Sequence, residues 1–360
     1  MKRALPVLGA LALCSAALPA LAAARPAPSP VQVPAPAPSP APAPAQPQES
    51  LVGARYVAIG SSYAAGPQLP PAKPSWPARC GQSQNNYPTL LADRFGLVLI
   101  DRSCSGATTD NVLGPWGDVP PQISSVTAET RLVTVTIGGN DLSYIGNLFS
   151  ATCLSESRII AATGAKTRAC GAVRVPTEAD YQRDEAQLTE IARRLKAQAP
   201  RARIVFVQYP TPIPGPGALC AVTPVSESDA AIVREIGRRL AEITARVAQA
   251  NELILVDMKQ VSATHTPCDP VPWMIGAPEG YDGREGLQWH LNKAGMQASS
   301  DGIAAALVAA GVKPLKPAAP LPATAAGPGL APAPVAAPVA APVAAPVAAP
   351  VLRAPPPKAN

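Results

Sequence analysis

The sequence contains only two histidines among 360 residues, His265 and His290. Imidazole is the usual proton acceptor near neutral pH and a common zinc ligand. Any chemistry that needs a base therefore has two candidates. The chain also has no Cys-x-x-Cys pair, and most of its cysteines have no histidine close by in the sequence. This pattern argues against a zinc site, and we expect no metal.

Basic clusters and long apolar runs are scarce as well. No group of Lys and Arg is interleaved with aromatic residues, so we expect no nucleic-acid partner. After residue 24, no run is long and apolar enough to cross a bilayer, so we expect no stable membrane span. The formal charge of +6 falls to +4 once Lys2 and Arg3 are removed with the segment described next.

The first 24 residues have the pattern of a signal peptide. A basic start is followed by an apolar run over residues 4–21 and by small residues around Ala22. A membrane anchor is the alternative, but the run is short and is interrupted by Pro6 and Pro19. We therefore expect a secreted or periplasmic protein.

Six cysteines remain after Cys14 leaves with the signal peptide. An even number in an exported protein indicates three disulfides. Six cysteines allow about 15 pairings, and the sequence alone does not select one. We expect neighbours in the sequence to pair, which gives Cys80–Cys104, Cys153–Cys170 and Cys220–Cys268.

Proline and alanine dominate both flanks of the chain. Residues 25–53 and 314–360 carry little charge, and the second segment contains a Pro-Val-Ala-Ala repeat. Such segments cannot bury a core, so we predict a disordered linker and a disordered tail. Residues 54–313 between them are enough for one sizeable domain.

Short apolar runs alternate with helical patterns inside this domain. Helices are predicted to begin near Thr177 and Ser226, and a terminal helix is predicted over residues 291–311. The apolar runs read as strands buried on both faces, and their alternation with helices predicts a parallel sheet. These runs are residues 56–59, 97–100, 132–137, 204–207 and 253–256.

Three polar motifs follow the first three predicted strands, where open parallel sheets bind ligands. Ser62 follows the first strand at a predicted helix start; Gly106 follows the second, and Asn140 the third. Unused N–H groups and a carboxamide are donors for a developing oxyanion. Each motif has an ordinary alternative: a helix-capping serine, a glycine turn and an Asn/Asp turn. His290 precedes the last helix and could be a surface or capping residue, whereas His265 lies beside Cys268 and reads as structural or exposed.

Taken in order, these motifs resemble the SGNH hydrolases, also called GDSL esterases and lipases, over roughly residues 54–312. The resemblance implies a three-layer α/β/α sandwich, flavodoxin-like, with a five-stranded parallel sheet. It implies a secreted serine ester hydrolase acting on small-molecule or lipid esters without a metal or organic cofactor. Ser62 would be the nucleophile and His290 the base. The Ser62 and Gly106 N–H groups and the Asn140 side chain would form the oxyanion hole.

Two positions depart from that family's pattern. Ser61 stands where the family has aspartate, and the spacing to the following YAAG selects Ser62 as nucleophile. Leu287 stands where the family usually has the aspartate that orients the histidine. Relatives with a Ser–His dyad use a backbone carbonyl instead, so the Leu287 carbonyl is the expected partner, with the side chains of Asp282 and Glu285 as alternatives.

Other functions remain open from the sequence. The protein could remove acetyl groups from carbohydrate or from the cell envelope, bind a surface without catalysis, or transfer an acyl group to an acceptor other than water. Substrate length is expected to depend on loops over residues 142–176, 211–225 and 259–288. The sequence does not predict the oligomeric state.

Overall fold

Five parallel strands form the central sheet, in the order Val98–Asp101, Arg55–Gly60, Thr130–Thr136, Arg203–Val207, Ile254–Val256. The structure, a computed structural model, describes residues 49–74, 77–162 and 169–316. The predicted signal peptide, all but the end of the linker and nearly all of the tail lie outside the described residues. The strands are β1 Glu49–Ser50, β2 Arg55–Gly60, β3 Val98–Asp101, β4 Thr130–Thr136, β5 Arg203–Val207, β6 Ile254–Val256 and β7 Val312–Lys313.

Helices connect the strands of this sheet and cover its two faces. In parallel sheets the crossovers are right-handed, so connections that run in opposite directions along the sheet lie on opposite faces. The helices are α1 Ser62–Ala65, α2 Tyr87–Phe95, α3 Thr109–Leu113, α4 Tyr144–Ala162, α5 Glu178–Gln198, α6 Glu227–Ala250, α7 Met258–Val261 and α8 Lys293–Ala309. Consistent with the rule for crossovers, α2 packs on α8, while α4 and α5 pack on α6. Two 3₁₀ turns, Ala78–Cys80 and Gln122–Ser125, complete the elements.

The predicted fold class is confirmed: the sheet is parallel, five-stranded and flanked by helices. The direction of chain progression reverses after β3, because β4 returns to the other side of β2. Polar groups at the carboxyl ends of β2 and β4 therefore lie next to this switch point, where such folds bind ligands. Gly60 and Thr136 are the last paired residues of the two strands.

Capping residues fix the helix starts that the sequence indicated. The Thr177 side chain accepts a hydrogen bond from the Asp180 N–H, and the Asp180 carboxylate accepts one from the Thr177 N–H. Ser226 caps α6 in a similar way, accepting from the Asp229 N–H. Side-chain oxygens at this position satisfy N–H groups that have no partner within the helix.

Two parts of the fold differ from the sequence expectation. The segment 142–176, expected to be a loop, contains the long helix α4. Its interior glycine and its serines and threonines weaken the helical signal, and tertiary packing overrides that propensity. In addition, β1 lies before the expected domain start at residue 54 and pairs with β7.

All three expected disulfides are present: Cys80–Cys104, Cys153–Cys170 and Cys220–Cys268. The last one joins the loops that follow β5 and β6. Within the described ranges, no helix is long and apolar enough to cross a membrane. The same ranges hold no cluster of three or more His, Cys, Asp or Glu side chains suited to a metal ion.

A carboxyl group without a partner is buried beneath the turn that follows β4. Asp184 on α5 is 1% exposed, and neither of its carboxyl oxygens has a hydrogen-bond partner in the described part of the chain. A Cβ atom at Gly138 would lie 2.9 Å from Oδ1, so the turn passes directly over this group. Burial and, to a smaller degree, the charge of Asp141 raise the pKa of Asp184 to about 9. The carboxyl is therefore protonated at neutral pH.

We predict that Asp184→Asn stabilises the protein at alkaline pH. Asp184 ionises near pH 4 in the unfolded chain and near pH 9 in the folded one, so its contribution to the unfolding free energy decreases between those values. The neutral amide should raise the unfolding free energy at pH 8 by about 1–3 kcal/mol. Each 1 kcal/mol corresponds to about 2–4 °C in Tm for a domain of this size. Thermal melts of both proteins from pH 4 to 9 measure the difference.

The control is Glu185→Gln on the same helix. Glu185 pairs with Arg246 at the surface, and its hydrogen bond to Arg246 lowers the pKa of this carboxyl. Removing the Glu185 charge should slightly lower the unfolding free energy at neutral pH. This is opposite to the effect expected for Asp184→Asn. A Tm difference between Asp184→Asn and wild type that is the same at pH 4 and pH 8 would contradict the prediction.

Candidate active site

Ser62 and His290 meet at the carboxyl end of β2. Ser62 is the first residue of α1, and His290 lies in the loop before α8. The Ser62 Oγ is 2.8 Å from the His290 Nε2. The two residues are only 7% and 4% exposed. The fold thus brings together two groups that are 228 residues apart in the chain.

Close packing at the end of β2 fixes the position of Ser62. A Cβ atom on Gly60 would lie 2.7 Å from the Thr136 carbonyl oxygen, so only glycine fits there. The short helix α1 then ends at Gly66, whose φ of 74° is in the left-handed region. Ser62 therefore lies in a tight strand–turn–helix connection, at the end of the helix where N–H groups are free of intrahelical partners.

A backbone carbonyl orients the imidazole, and it belongs to Gln288. The His290 Nδ1 is 2.8 Å from the Gln288 carbonyl oxygen. The prediction that the Leu287 carbonyl orients the ring is wrong. That carbonyl instead accepts a hydrogen bond from the main-chain N–H of His290 at 3.2 Å. A carbonyl oxygen can only accept, so Nδ1 must carry the hydrogen. The lone pair of Nε2 then faces Ser62, whose hydroxyl donates to it.

The two acidic alternatives do not hold the imidazole. Among the hydrogen bonds of the described residues, none joins Asp282 or Glu285 to His290. Asp282 instead accepts from the main-chain N–H of Arg284 at 3.0 Å. A carbonyl two residues before a histidine leaves no trace in side-chain identity, which is why the sequence pointed to the wrong residue.

Burial governs the charge state of the imidazole. Removal from water lowers the pKa of His290 to about 4, and the Gln288 carbonyl opposes this shift by favouring the protonated ring. The ring is neutral at pH 7 and available to accept a proton. Among the described residues, no carboxylate bonds the imidazole, so the Gln288 carbonyl dipole stabilises the charge that the ring would gain.

The loop that carries His290 has a strained backbone and is held in place by a tyrosine. Trp289 has a φ of 61°, a region that bulky side chains rarely adopt. Its carbonyl accepts a 2.6 Å hydrogen bond from the Tyr63 hydroxyl, and its indole N–H donates to Thr152 at 3.1 Å. Strained residues persist only where surrounding contacts over-determine them. Tyr63 follows Ser62, so the same short helix positions both the hydroxyl and the imidazole.

Two of the expected oxyanion-hole residues, Gly106 and Asn140, lie close together. The Asn140 Nδ2 donates to the Ala107 carbonyl at 2.8 Å, which orients the carboxamide beside Gly106 and leaves its second hydrogen free of that bond. Gly106 has a φ of 85° and packs against Trp116. No hydrogen bond between described residues uses the N–H of Ser62 or of Gly106. Three donors are thus available at one edge of the sheet.

A second tyrosine links the turn after β4 to the serine pair. The Ser61 Oγ and the Tyr209 hydroxyl are 2.6 Å apart, and both groups are buried. The Tyr209 ring also fills the space where Gly139 would carry a Cβ, which would lie 2.7 Å from it. Ser61 therefore has a structural partner, and only Ser62 faces the imidazole. The consecutive glycines before Asn140 were the sequence signal that a large side chain packs against this turn.

His265, the other histidine, lies away from this pair. Its Nδ1 is 2.8 Å from the Val271 carbonyl oxygen, and its ring stacks on Trp273 with centroids 3.8 Å apart. These contacts agree with the interpretation of His265 as structural.

A parallel α/β/α fold with a buried serine–imidazole pair at its switch point defines a hydrolase of the serine type. The comparison with protein families confirms this: residues 58–298 match the GDSL-like Lipase/Acylhydrolase family, and the chain belongs to it. The chain is a carboxylic-ester hydrolase.

Relatives from Streptomyces are similar to most of the domain. Lipase 2 of Streptomyces coelicolor is 31% identical over 226 residues, which cover 62% of this chain and 76% of the relative. A lipase of Streptomyces rimosus is 30% identical, covering 61% and 75%. The crystal structure of an extracellular lipase from Streptomyces rimosus matches with a TM-score of 0.52 at 25% identity, over 72% of this chain and all of that one.

We predict that Tyr63→Phe lowers kcat about tenfold and leaves KM nearly unchanged. The substitution leaves the buried Trp289 carbonyl without its donor and frees the strained loop that carries His290. Small displacements of a proton-transfer group reduce the rate strongly. Kinetics on a short p-nitrophenyl ester measure both constants.

The matched control is Tyr56→Phe. It removes another buried hydroxyl, bonded to Thr134 at 2.7 Å inside the sheet. Both variants should lose a similar unfolding free energy, about 1–3 kcal/mol, but only Tyr63→Phe should lose kcat. Equal kcat values for the two variants would show that the Tyr63 hydroxyl has no role in positioning His290.

Proposed function

We propose that the protein hydrolyses carboxylic esters through an acyl-enzyme on Ser62, with His290 as the base. The observation that carries this proposal is the unbroken hydrogen-bond line from the Gln288 carbonyl through the imidazole to the Ser62 hydroxyl. Serine catalysis requires a nucleophile, a base within reach of it and a group that orients the base.

Acylation begins with proton transfer to the imidazole. Ser62 Oγ attacks the ester carbonyl carbon while its proton passes to His290 Nε2. The imidazolium formed keeps its Nδ1–H on the Gln288 carbonyl, which accepts a stronger, charge-assisted hydrogen bond in that state. The ester carbonyl oxygen becomes an oxyanion as the tetrahedral intermediate forms.

The oxyanion lies among three donors. In this proposal, the donors are the Ser62 and Gly106 N–H groups and the second amide hydrogen of Asn140. These donors are fixed before substrate binds, because Asn140 is already held by Ala107 and Gly106 by its turn. Preorganised donors of this kind are usually the largest single contribution to the rate.

Collapse of the intermediate releases the alcohol. The Nε2–H of His290 protonates the leaving oxygen, the bond from carbon to that oxygen breaks, and the acyl group stays on Ser62. A water molecule then gives its proton to Nε2 and attacks the acyl carbon. The bond from that carbon to Ser62 Oγ breaks and releases the acid, and the proton passes from Nε2 to Oγ, which restores the Ser62 hydroxyl.

We assign lipid esters outside the cytoplasm as the substrate class. The most similar relatives reported above carry the name lipase, and one of them is extracellular. Three disulfides favour an oxidising compartment, in agreement with the signal-peptide pattern of residues 1–24.

Ser62→Ala should abolish hydrolysis of p-nitrophenyl esters, and Asn140→Ala should lower kcat by about 10²–10³ because it removes one oxyanion donor. Ser61→Ala is the matched control, since it removes the neighbouring hydroxyl but keeps Ser62. A fluorophosphonate probe should label wild type and Ser61→Ala, and not Ser62→Ala. Labelling that survives in Ser62→Ala would exclude Ser62 as the nucleophile.

The low pKa of His290 predicts activity into acidic solution. The free enzyme needs a neutral imidazole, so kcat/KM should be constant down to about pH 5 and fall with an apparent pKa near 4. An unshifted histidine would give a fall near 6.5. The measurement is a pH profile of kcat/KM on an ester that does not ionise, with stability checked at each pH by return to pH 7. A midpoint above pH 6 would contradict the burial effect.

A further inference from the structure

Phe149 lies beside the imidazole of His290 and reaches the protein surface. The two ring centroids are 6.2 Å apart, and the ring planes are inclined by 40°. Phe149 is half-buried, with one part packed on the core. Tyr63, whose ring centroid is 5.1 Å from that of His290, is fully buried. Of these two aromatic neighbours, Phe149 is the one that a bound molecule can contact.

Several contacts fix Phe149 relative to both halves of the site. Helix α4, which carries it, begins directly after the Asn140 turn, and its Tyr144 N–H donates to the Gly139 carbonyl at 2.8 Å. One turn beyond Phe149, Thr152 accepts from the indole of Trp289, the residue before His290. The Phe149 ring is therefore a fixed wall, and its distance from the imidazole does not depend on a flexible loop.

The reaction geometry determines which part of the substrate passes this wall. In the tetrahedral intermediate the carbon on Ser62 carries an oxyanion, an acyl chain and a leaving oxygen. The oxyanion points to Gly106 and Asn140, and the leaving oxygen must lie within reach of His290 Nε2, which protonates it. The alcohol part of the ester therefore leaves along the imidazole, and Phe149 is the half-buried aromatic neighbour of that ring.

We propose that Phe149 forms the apolar wall of the subsite for the leaving alcohol, so that the enzyme prefers esters of apolar alcohols. This inference rests on the proposed function of Ser62 and His290. The same subsite receives the acceptor when the acyl-enzyme is resolved. An apolar alcohol bound there gives its proton to Nε2, its oxygen bonds to the acyl carbon, the carbon–Oγ bond breaks, and the proton passes to Ser62 Oγ. The enzyme therefore transfers acyl groups to apolar alcohols in competition with water.

Two butyrate esters test the proposed preference for apolar leaving alcohols. Benzyl butyrate and methyl butyrate give the same acyl-enzyme and differ only in the leaving alcohol. Phe149→Ala should lower kcat/KM for benzyl butyrate about tenfold, the loss expected for an aromatic contact, and for methyl butyrate less than about twofold. Concentrations of active enzyme come from titration with the fluorophosphonate probe, which corrects for any inactive fraction.

The partition of the acyl-enzyme between benzyl alcohol and water tests the proposed acyl transfer. With methyl butyrate as donor and benzyl alcohol added, the ratio of benzyl butyrate to butyric acid formed should fall by the same factor in Phe149→Ala. The two factors must agree, because formation and cleavage of benzyl butyrate share one transition state. A general disturbance of His290 would instead lower transfer to water and to alcohol together and leave the ratio unchanged.

Two controls separate the possible failures. Phe149→Leu keeps an apolar side chain and should shift the benzyl-to-methyl ratio only about two- to threefold, and it decides the matter if Phe149→Ala does not fold. The ratio of methyl octanoate to methyl butyrate hydrolysis, which reports the acyl side, should be unchanged in both variants. A benzyl-to-methyl ratio equal to wild type overturns the role of Phe149, whereas a wild-type protein that the probe does not label at Ser62 overturns the proposed function itself.

Discussion

The hydrogen bond between the Gln288 carbonyl and the His290 Nδ1 is the constraint on which the site depends. It fixes the tautomer, so that a lone pair and not a hydrogen faces Ser62. A carboxylate would do this and also stabilise the imidazolium with a full charge, but an ionised group buried beside His290 needs its own partners. A carbonyl is already part of the chain and costs little to bury here. The arrangement therefore gives up some stabilisation of the charged ring and keeps its orientation.

Orientation by a carbonyl requires a rigid main chain, and the surrounding contacts supply that rigidity. Trp289 carries the strained φ that turns the Gln288 carbonyl toward the ring, and Tyr63 holds the Trp289 carbonyl in place. On the opposite side, Tyr209 connects Ser61 with the glycine turn before Asn140. Two buried tyrosines thus join the chain segments that carry Ser62, His290 and Asn140. Both hydroxyls are neutral, and a buried site accommodates neutral groups more readily than carboxylates.

Side-chain patterns predicted the parts of this site that depend on side chains. The apolar runs gave the strands, and the carboxyl ends of β2, β3 and β4 brought Ser62, Gly106 and Asn140 to one edge. The scarcity of histidine then left His290 as the natural base. Gln288 could not be found in this way, because its contribution is a carbonyl that every residue has. Helix α4 was missed because its Gly, Ser and Thr residues are poor helix formers, and long-range packing against α6 decides its structure.

The ends of the described domain lie at the amino ends of the central strands, opposite the candidate active site. β1 pairs with β7, and the Glu49 carboxylate bonds Arg131 and Arg203, at the starts of β4 and β5. Ser62 and Asn140 follow the opposite, carboxyl ends of β2 and β4. Since α4 begins directly after the Asn140 turn, Phe149 lies at that same end of the sheet, beside His290.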